Sequence, residues 1–189
     1  MTRYTYPHTI ENGAGERITF AREVAGSAAG TARERLEGEN VVQPGAGPPM
    51  HVHHLQEEVL TVRQGRMGYQ RLGEPVRYAG PGETVGFAPG EGHKFWNAGE
   101  GELLCVGHIE PVHNVEYFLT EMFASMKRHG GGRPGLFDVA FLATRYRSEY
   151  AVLEIPPAVQ RVVFPVLVAF GRLLGRYKRY ADAPPPVLR

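Results

Sequence analysis

The chain has 189 residues, 42% of them apolar and 22% charged, which is the make-up of a folded globular protein with room for one substantial core. A formal net charge of +1 supplies no general field for nucleic acid or other polyanions. The single cysteine, Cys105, excludes an intrachain disulfide and suits a reducing compartment. The opening residues Met1 to Tyr6 contain no apolar signal segment, so a cytoplasmic location is the expectation.

Residues 1–16 read as an irregular arm ending in the turn-prone Glu11-Asn12-Gly13-Ala14-Gly15. Ile18 to Val24 alternates as a strand, Ala25 to Gly30 reads as a hairpin loop, and the charged Thr31 to Glu37 as an edge strand. Short strands then recur at Glu58–Gln64, Arg66–Leu72, Val76–Tyr78, Thr84–Phe87, His93–Asn97 and Glu102–Ile109. Glycine and proline clusters separate them, a rhythm that predicts a sandwich or barrel. After Pro111 the period changes. Asn114 stands where a cap belongs, ahead of helical spacing at Val115, Phe118, Leu119, Met122, Phe123 and Met126, and Gly130-Gly131-Gly132 ends the helix. A second helix opens at Pro134 and ends near Tyr146 to Tyr150. A third starts at Pro156-Pro157 and runs to about Tyr180, with Pro165 as a kink. Its apolar stretch, Val162 to Gly171, is shorter than the roughly 20 residues a bilayer span needs. The basic flank Arg172, Arg176, Lys178 and Arg179 permits interfacial membrane contact, but burial on the barrel or against a second copy is the favoured reading.

The chemistry concentrates in two stretches. Side chains alternate along a strand, so His51 and His53 point the same way and could bind one ion from a rigid support. The carboxylate has two candidates. Glu57 keeps the parity of the two histidines, whereas Glu58 needs a bend or bulge between His54 and Gln56. Facing Glu58 inward also brings in Leu60 and Val62, and facing Glu57 inward brings in Arg63, so the apolar pattern favours Glu58. In the second stretch His93, Phe95 and Asn97 share a face.

The first stretch reads G-x5-H-x-H-x4-E-x6-G through Gly45, His51, His53, Glu58 and Gly65, which resembles the first signature of the cupin superfamily. The second resembles that family's G-x5-P-x-G-x2-H-x3-N through Gly82, Gly90, His93 and Asn97, with Ala88 in place of the proline and Pro89 directly after it. The resemblance covers residues 40–110. It implies a mainly β fold, a double-stranded β-helix (jelly-roll) barrel, taken as residues 1–112; outside its signatures, the helical spacing makes residues 113–189 an extension that packs on the barrel or on a dimer partner. It implies the ligand set His51, His53, Glu58 and His93 for one divalent transition metal, with Fe, Mn, Ni, Zn and Cu all compatible. Phe95, Asn97, Tyr69 and His108 are candidate pocket residues, and Cys105 reads as a small packed residue. The expectation is a metal-dependent enzyme of dioxygenase or other oxidoreductase type acting on a small organic molecule, in a homodimer. The alternatives are a non-enzymatic binding or sensory module, and a metal-assisted isomerase or sugar-modifying enzyme.

Overall fold

The computed structural model describes residues 4–24 and 34–188. Two antiparallel sheets form the barrel. The first contains β1 (His8–Glu11), β2 (Glu16–Val24), β3 (Arg35–Val42), β10 (Leu103–Glu110), β5 (Glu57–Gln64) and β8 (Thr84–Phe87), in that spatial order. The second contains β11 (Tyr150–Val152), β4 (His51–His53), β9 (Gly92–Asn97), β6 (Met67–Arg71) and β7 (Arg77–Ala79). The β-rich architecture agrees with the one expected from the spacing of short strands.

Period-two burial builds the interior. On β5 the residues Glu58, Leu60 and Val62 are buried while Glu57 and Arg63 are exposed. On β9 His93, Phe95 and Asn97 are buried. With Met67, Phe87, Leu103 and Cys105 these strands fill the barrel core. Burial pushes the Cys105 thiol up to about 12, so it is an inert packing group.

Two expectations for the N-terminal region change. The arm is not wholly irregular: β1 pairs with β2 across the turn that starts at Asn12, and the Asn12 side-chain oxygen accepts from the backbone N–H of Ala14 and of Glu16. The charged strand is not an edge. As β3 it lies between β2 and β10, its polar side chains alternating with the buried Leu36, Asn40 and Val42. The hairpin loop expected at Ala25 to Gly30 falls outside the described residues.

The extension supplies α1 (Val115–Arg128), α2 (Leu136–Arg145) and α3 (Phe164–Leu173). Asn114 occupies the N-cap position of α1 but makes no capping bond. Its amide donates to Glu149 Oε1 at 2.8 Å and to the Pro185 carbonyl at 3.0 Å, which ties the start of α1 to the end of the chain. Tyr117, Phe123, Phe141, Tyr146 and Phe164 form a second core that continues into Ile10, Phe20 and Leu36 of the first sheet. The third helix is shorter than expected. A π-helical turn, Val159–Val163, precedes Pro165, and α3 ends at Leu173. Only one face of it is buried, through Phe164, Val168 and Gly171; Val166 and Leu173 stay 65% and 85% exposed. Among the described residues, no helix is long and apolar enough to cross a membrane.

The second sheet holds a further element that the sequence analysis missed. Residues 150–152, which follow directly on a helix expected to end near Tyr146 to Tyr150, form β11 and pair with β4, placing Tyr150 opposite His53 and Val152 opposite His51.

Candidate metal centre

The site is assembled on three strands. β4 presents His51 and His53, with the intervening Val52 buried on the opposite side. The chain enters β4 tightly. Gly47, at φ +152°, lies so close to β9 that a β-carbon there would overlap the Phe95 carbonyl. Beyond His53 the strand breaks at His54-Leu55-Gln56 before β5 begins. That break resets the parity, so Glu58 turns inward and Glu57 faces solvent. β9 lies beside β4 and sets His93 opposite His51. The turn before β9 is fastened to the ligand strand, because the Gly90 N–H donates to the His53 carbonyl at 2.7 Å.

The side chains of His51, His53, Glu58 and His93 converge, each offering a donor atom within 4.8 Å of the others. Glu58 Oε2 stands 3.0 Å from His93 Nε2, 3.7 Å from His53 Nε2 and 4.0 Å from His51 Nε2. Hydrogen bonds on the far side fix two of the rings. His51 Nδ1–H donates to the Pro49 carbonyl at 2.8 Å, and His93 Nδ1–H to the Glu91 carbonyl at 2.9 Å. A carbonyl only accepts, so the protons sit on Nδ1 and the Nε2 lone pairs face the centre. His93 also stacks on Phe87, with centroids 3.9 Å apart and planes 5° from parallel, and His53 meets the Tyr150 ring edge-on.

Burial lowers the pKa of His51, and lowers that of His53 to about 3, so both rings are neutral at neutral pH. Burial pushes the Glu58 carboxyl up, but its hydrogen bond with His93 and the neighbouring imidazoles outweigh that effect and hold it at about 2. With its Nδ1–H turned to the Glu91 carbonyl, His93 sets Nε2 3.0 Å from Glu58 Oε2, a contact that a proton or a cation between the two atoms satisfies. Three imidazole nitrogens and one carboxylate oxygen suit a divalent transition ion better than Mg or Ca, and leave coordination positions open for a ligand. The donor set thus fits the group that the sequence resemblance implies.

A cavity of ≈ 110 Å³ adjoins the cluster, room for several water-sized groups. His51, His53 and Glu58 lie in its wall, which continues through Phe20, Leu60 and Phe95 to Leu119 and Phe123 of α1. Among the described residues, no Lys or Arg lines it. Of the four pocket residues expected from sequence, Phe95 and His108 line this cavity. Asn97 does not. It shares the His93 face, but its amide donates to the Val42 and Gly101 carbonyls and its oxygen accepts from the Gly99 N–H, so it fastens a turn. Tyr69 is also absent from the wall, and packs edge-on against Phe87 instead. Three participants were missed. Phe87 carries no motif, Tyr150 reaches the site only through β11, and Glu16 shares the inward parity of Ile18 and Phe20, a signal that was there to be read.

These features define a class: a double-stranded β-helix whose inner wall gathers a possible metal site beside an apolar cavity. Residues 38–107 match the family described as Cupin domain, the family that the two sequence motifs resemble. A curated relative, a probable oxidoreductase named virH from Hypocrea virens, is 35% identical over 52 residues, 28% of this chain. The match spans 24% of that relative's length. Among solved structures, KdgF from a Halomonas species shows 16% identity and a TM-score of 0.49, covering 58% of this chain and 92% of that one. A double-stranded β-helix protein from Klebsiella pneumoniae shows 19% identity and a TM-score of 0.42, covering 58% and 83%. A sugar phosphate isomerase of the cupin superfamily from Silicibacter pomeroyi shows 19% and 0.42, covering 57% and 66%.

Proposed function

We propose that the protein is a metal-dependent enzyme of oxidoreductase, dioxygenase-like type, acting on a small organic substrate with an apolar body. The observation that carries this reading is the convergence of His51, His53, Glu58 and His93, the first three of them on the wall of a cavity whose remaining lining is mostly apolar. A divalent transition ion held there would supply Lewis acidity and, for Fe, Mn or Cu, one-electron chemistry. The protein's own residues do the rest. Four side chains would hold the ion from strands, His51 and His53 stay neutral, and the apolar wall excludes water from the reacting groups. The relative named as a probable oxidoreductase supports the same direction. A phosphorylated sugar fits less well, because the acidic residues Glu16, Glu39 and Glu58 line the cavity and, among the described residues, no Lys or Arg lines it to receive a phosphate.

Stripping the protein, reloading it with Fe(II), Mn(II), Ni(II), Cu(II) or Zn(II), and following dioxygen uptake over a panel of small phenolic and enolic compounds tests the proposal. Turnover with at least one redox-active ion is expected, and its loss in His53→Ala. Ligand binding without turnover under every ion would overturn the enzymatic reading in favour of a sensory module. One observation favours that second reading: β11 of the extension is hydrogen-bonded directly to the ligand strand, so a change at His51 or His53 has a route into the helices.

A further inference from the structure

The last helix of the extension is apolar on two sides and covered on one. Phe164, Val168 and Gly171 of α3 are buried against the protein. On the other side Val166, Phe170 and Leu173 recur at the spacing of one helical face, each more than half exposed. Val162 continues the exposure into the π-helical turn. A contiguous row of large apolar groups in water marks an interaction surface. Cations border this row. Arg161 and Arg172 are exposed next to Val162 and Leu173 in the chain. Arg176 is brought round by the turn after α3, where its N–H donates to the Gly171 carbonyl at 2.9 Å. Its guanidinium carbon lies 5.7 Å from the centre of the Phe137 ring, which is itself 6.4 Å from that of Phe170. Between Glu154 and Asp182 the chain has no acidic residue. Among the described residues, Asp138 pairs with Arg128 and Arg179, and no carboxylate pairs with Arg161, Arg172 or Arg176.

We propose that the outer face of α3 is a membrane-surface contact, which docks the protein on anionic lipid with the barrel on the aqueous side. An apolar row with uncompensated cations at its margin suits the boundary between headgroups and acyl chains: Val166, Phe170 and Leu173 enter the hydrocarbon edge, while the arginines reach lipid phosphates. The helix lies flat, since it is too short to cross. A second copy of this chain complements the face less well. Two-fold pairing of the same surface would bring the cations of both copies together, with no carboxylate between Glu154 and Asp182 to neutralise them. The contact does not depend on the metal site.

The test is co-sedimentation of the full chain with vesicles of phosphatidylcholine alone, and of phosphatidylcholine with an equal share of phosphatidylglycerol. Binding to the anionic vesicles is expected, with little to the neutral ones, and it should weaken as NaCl rises from about 0.1 M to about 1 M. Phe170→Gln combined with Leu173→Gln should weaken it about tenfold or more, the loss expected when two large apolar side chains are withheld from hydrocarbon. Arg161→Gln, Arg172→Gln and Arg176→Gln together should abolish the preference for the anionic vesicles. All five side chains are exposed, so thermal unfolding should be little changed in either variant. Leu173→Gln alone, at the most exposed of these positions, keeps the test decisive if the pair unfolds. Equal sedimentation with both vesicle types, none with either, or binding untouched by the loss of Leu173 and Phe170 would overturn the inference. So would a dimer in sedimentation equilibrium that these substitutions make monomeric, without vesicle binding, because the face would then belong to a second copy.

Discussion

Two adjacent histidines separate the site from its surroundings most sharply. His53 points into the cluster, while His54 lies in the break between β4 and β5, its backbone N–H donating to the Glu149 carbonyl. His53→Ala should therefore lose most of its metal by elemental analysis, and His54→Ala should stay near the unsubstituted content. Equal loss in both would refute the face assignment. Glu16 gives a second test. Burial raises its carboxyl from the ordinary 4.5 to about 7, the Asn40 hydrogen bond opposing and the Glu58 charge adding. The folded state thus keeps a proton that the unfolded chain has released, and stability falls as pH rises from about 4.5 through 7. Glu16→Gln should remove that slope, gaining on the unsubstituted protein by up to about 3 kcal/mol between pH 4 and pH 8 in urea unfolding. An unchanged slope would place the carboxyl's titration elsewhere. At this scale the sequence was informative wherever parity decided. The bend that allows Glu58 was legible from Leu60 and Val62 behind it. Asn97 misled because parity places a side chain on a face without saying whether a nearby turn will consume its hydrogen bonds.

At the scale of elements, the long alternating strands and the amphipathic α1 were legible, because each carries its own period. The short strands β1 and β11 were not. Four and three residues hold too little pattern to declare a strand, and pairing with β2 and β4 makes them one. β11 carries consequences for the site. Tyr150 accepts a hydrogen bond from Gln56 Nε2 at 2.8 Å and sets its ring against His53, while Gln56 itself is fully buried in the break that positions Glu58. Tyr150→Phe should leave the Gln56 donor unsatisfied and cost about 1–3 kcal/mol in thermal or urea unfolding. Tyr150→Ala should cost about 3–5 kcal/mol by opening a cavity as well. A neutral Tyr150→Phe would mean that Gln56 finds another acceptor.

Over the whole molecule, barrel and extension share structure. The second core runs from Ile10 and Phe20 into α1, α2 and α3, and the strand after α2 completes the second sheet. A chain ending at residue 148 would strip β4 of one neighbour and unpack the helices. It should lose metal affinity together with stability, read by metal titration and urea unfolding of the same sample. A truncated chain that binds metal as tightly as the full one would make the extension a separable appendage. The exposed face of α3 had no counterpart in the sequence analysis, because an all-apolar stretch does not say which of its faces will be covered.

The central claim is that three imidazoles and one carboxylate on β4, β5 and β9 hold a single metal ion. Anomalous diffraction at the metal edge, on crystals of protein with measured metal content, tests it most directly. The account predicts one peak per chain, within bonding distance of Nε2 of His51, His53 and His93 and of a Glu58 oxygen. A metal-replete crystal whose peak lies away from those four atoms would contradict it.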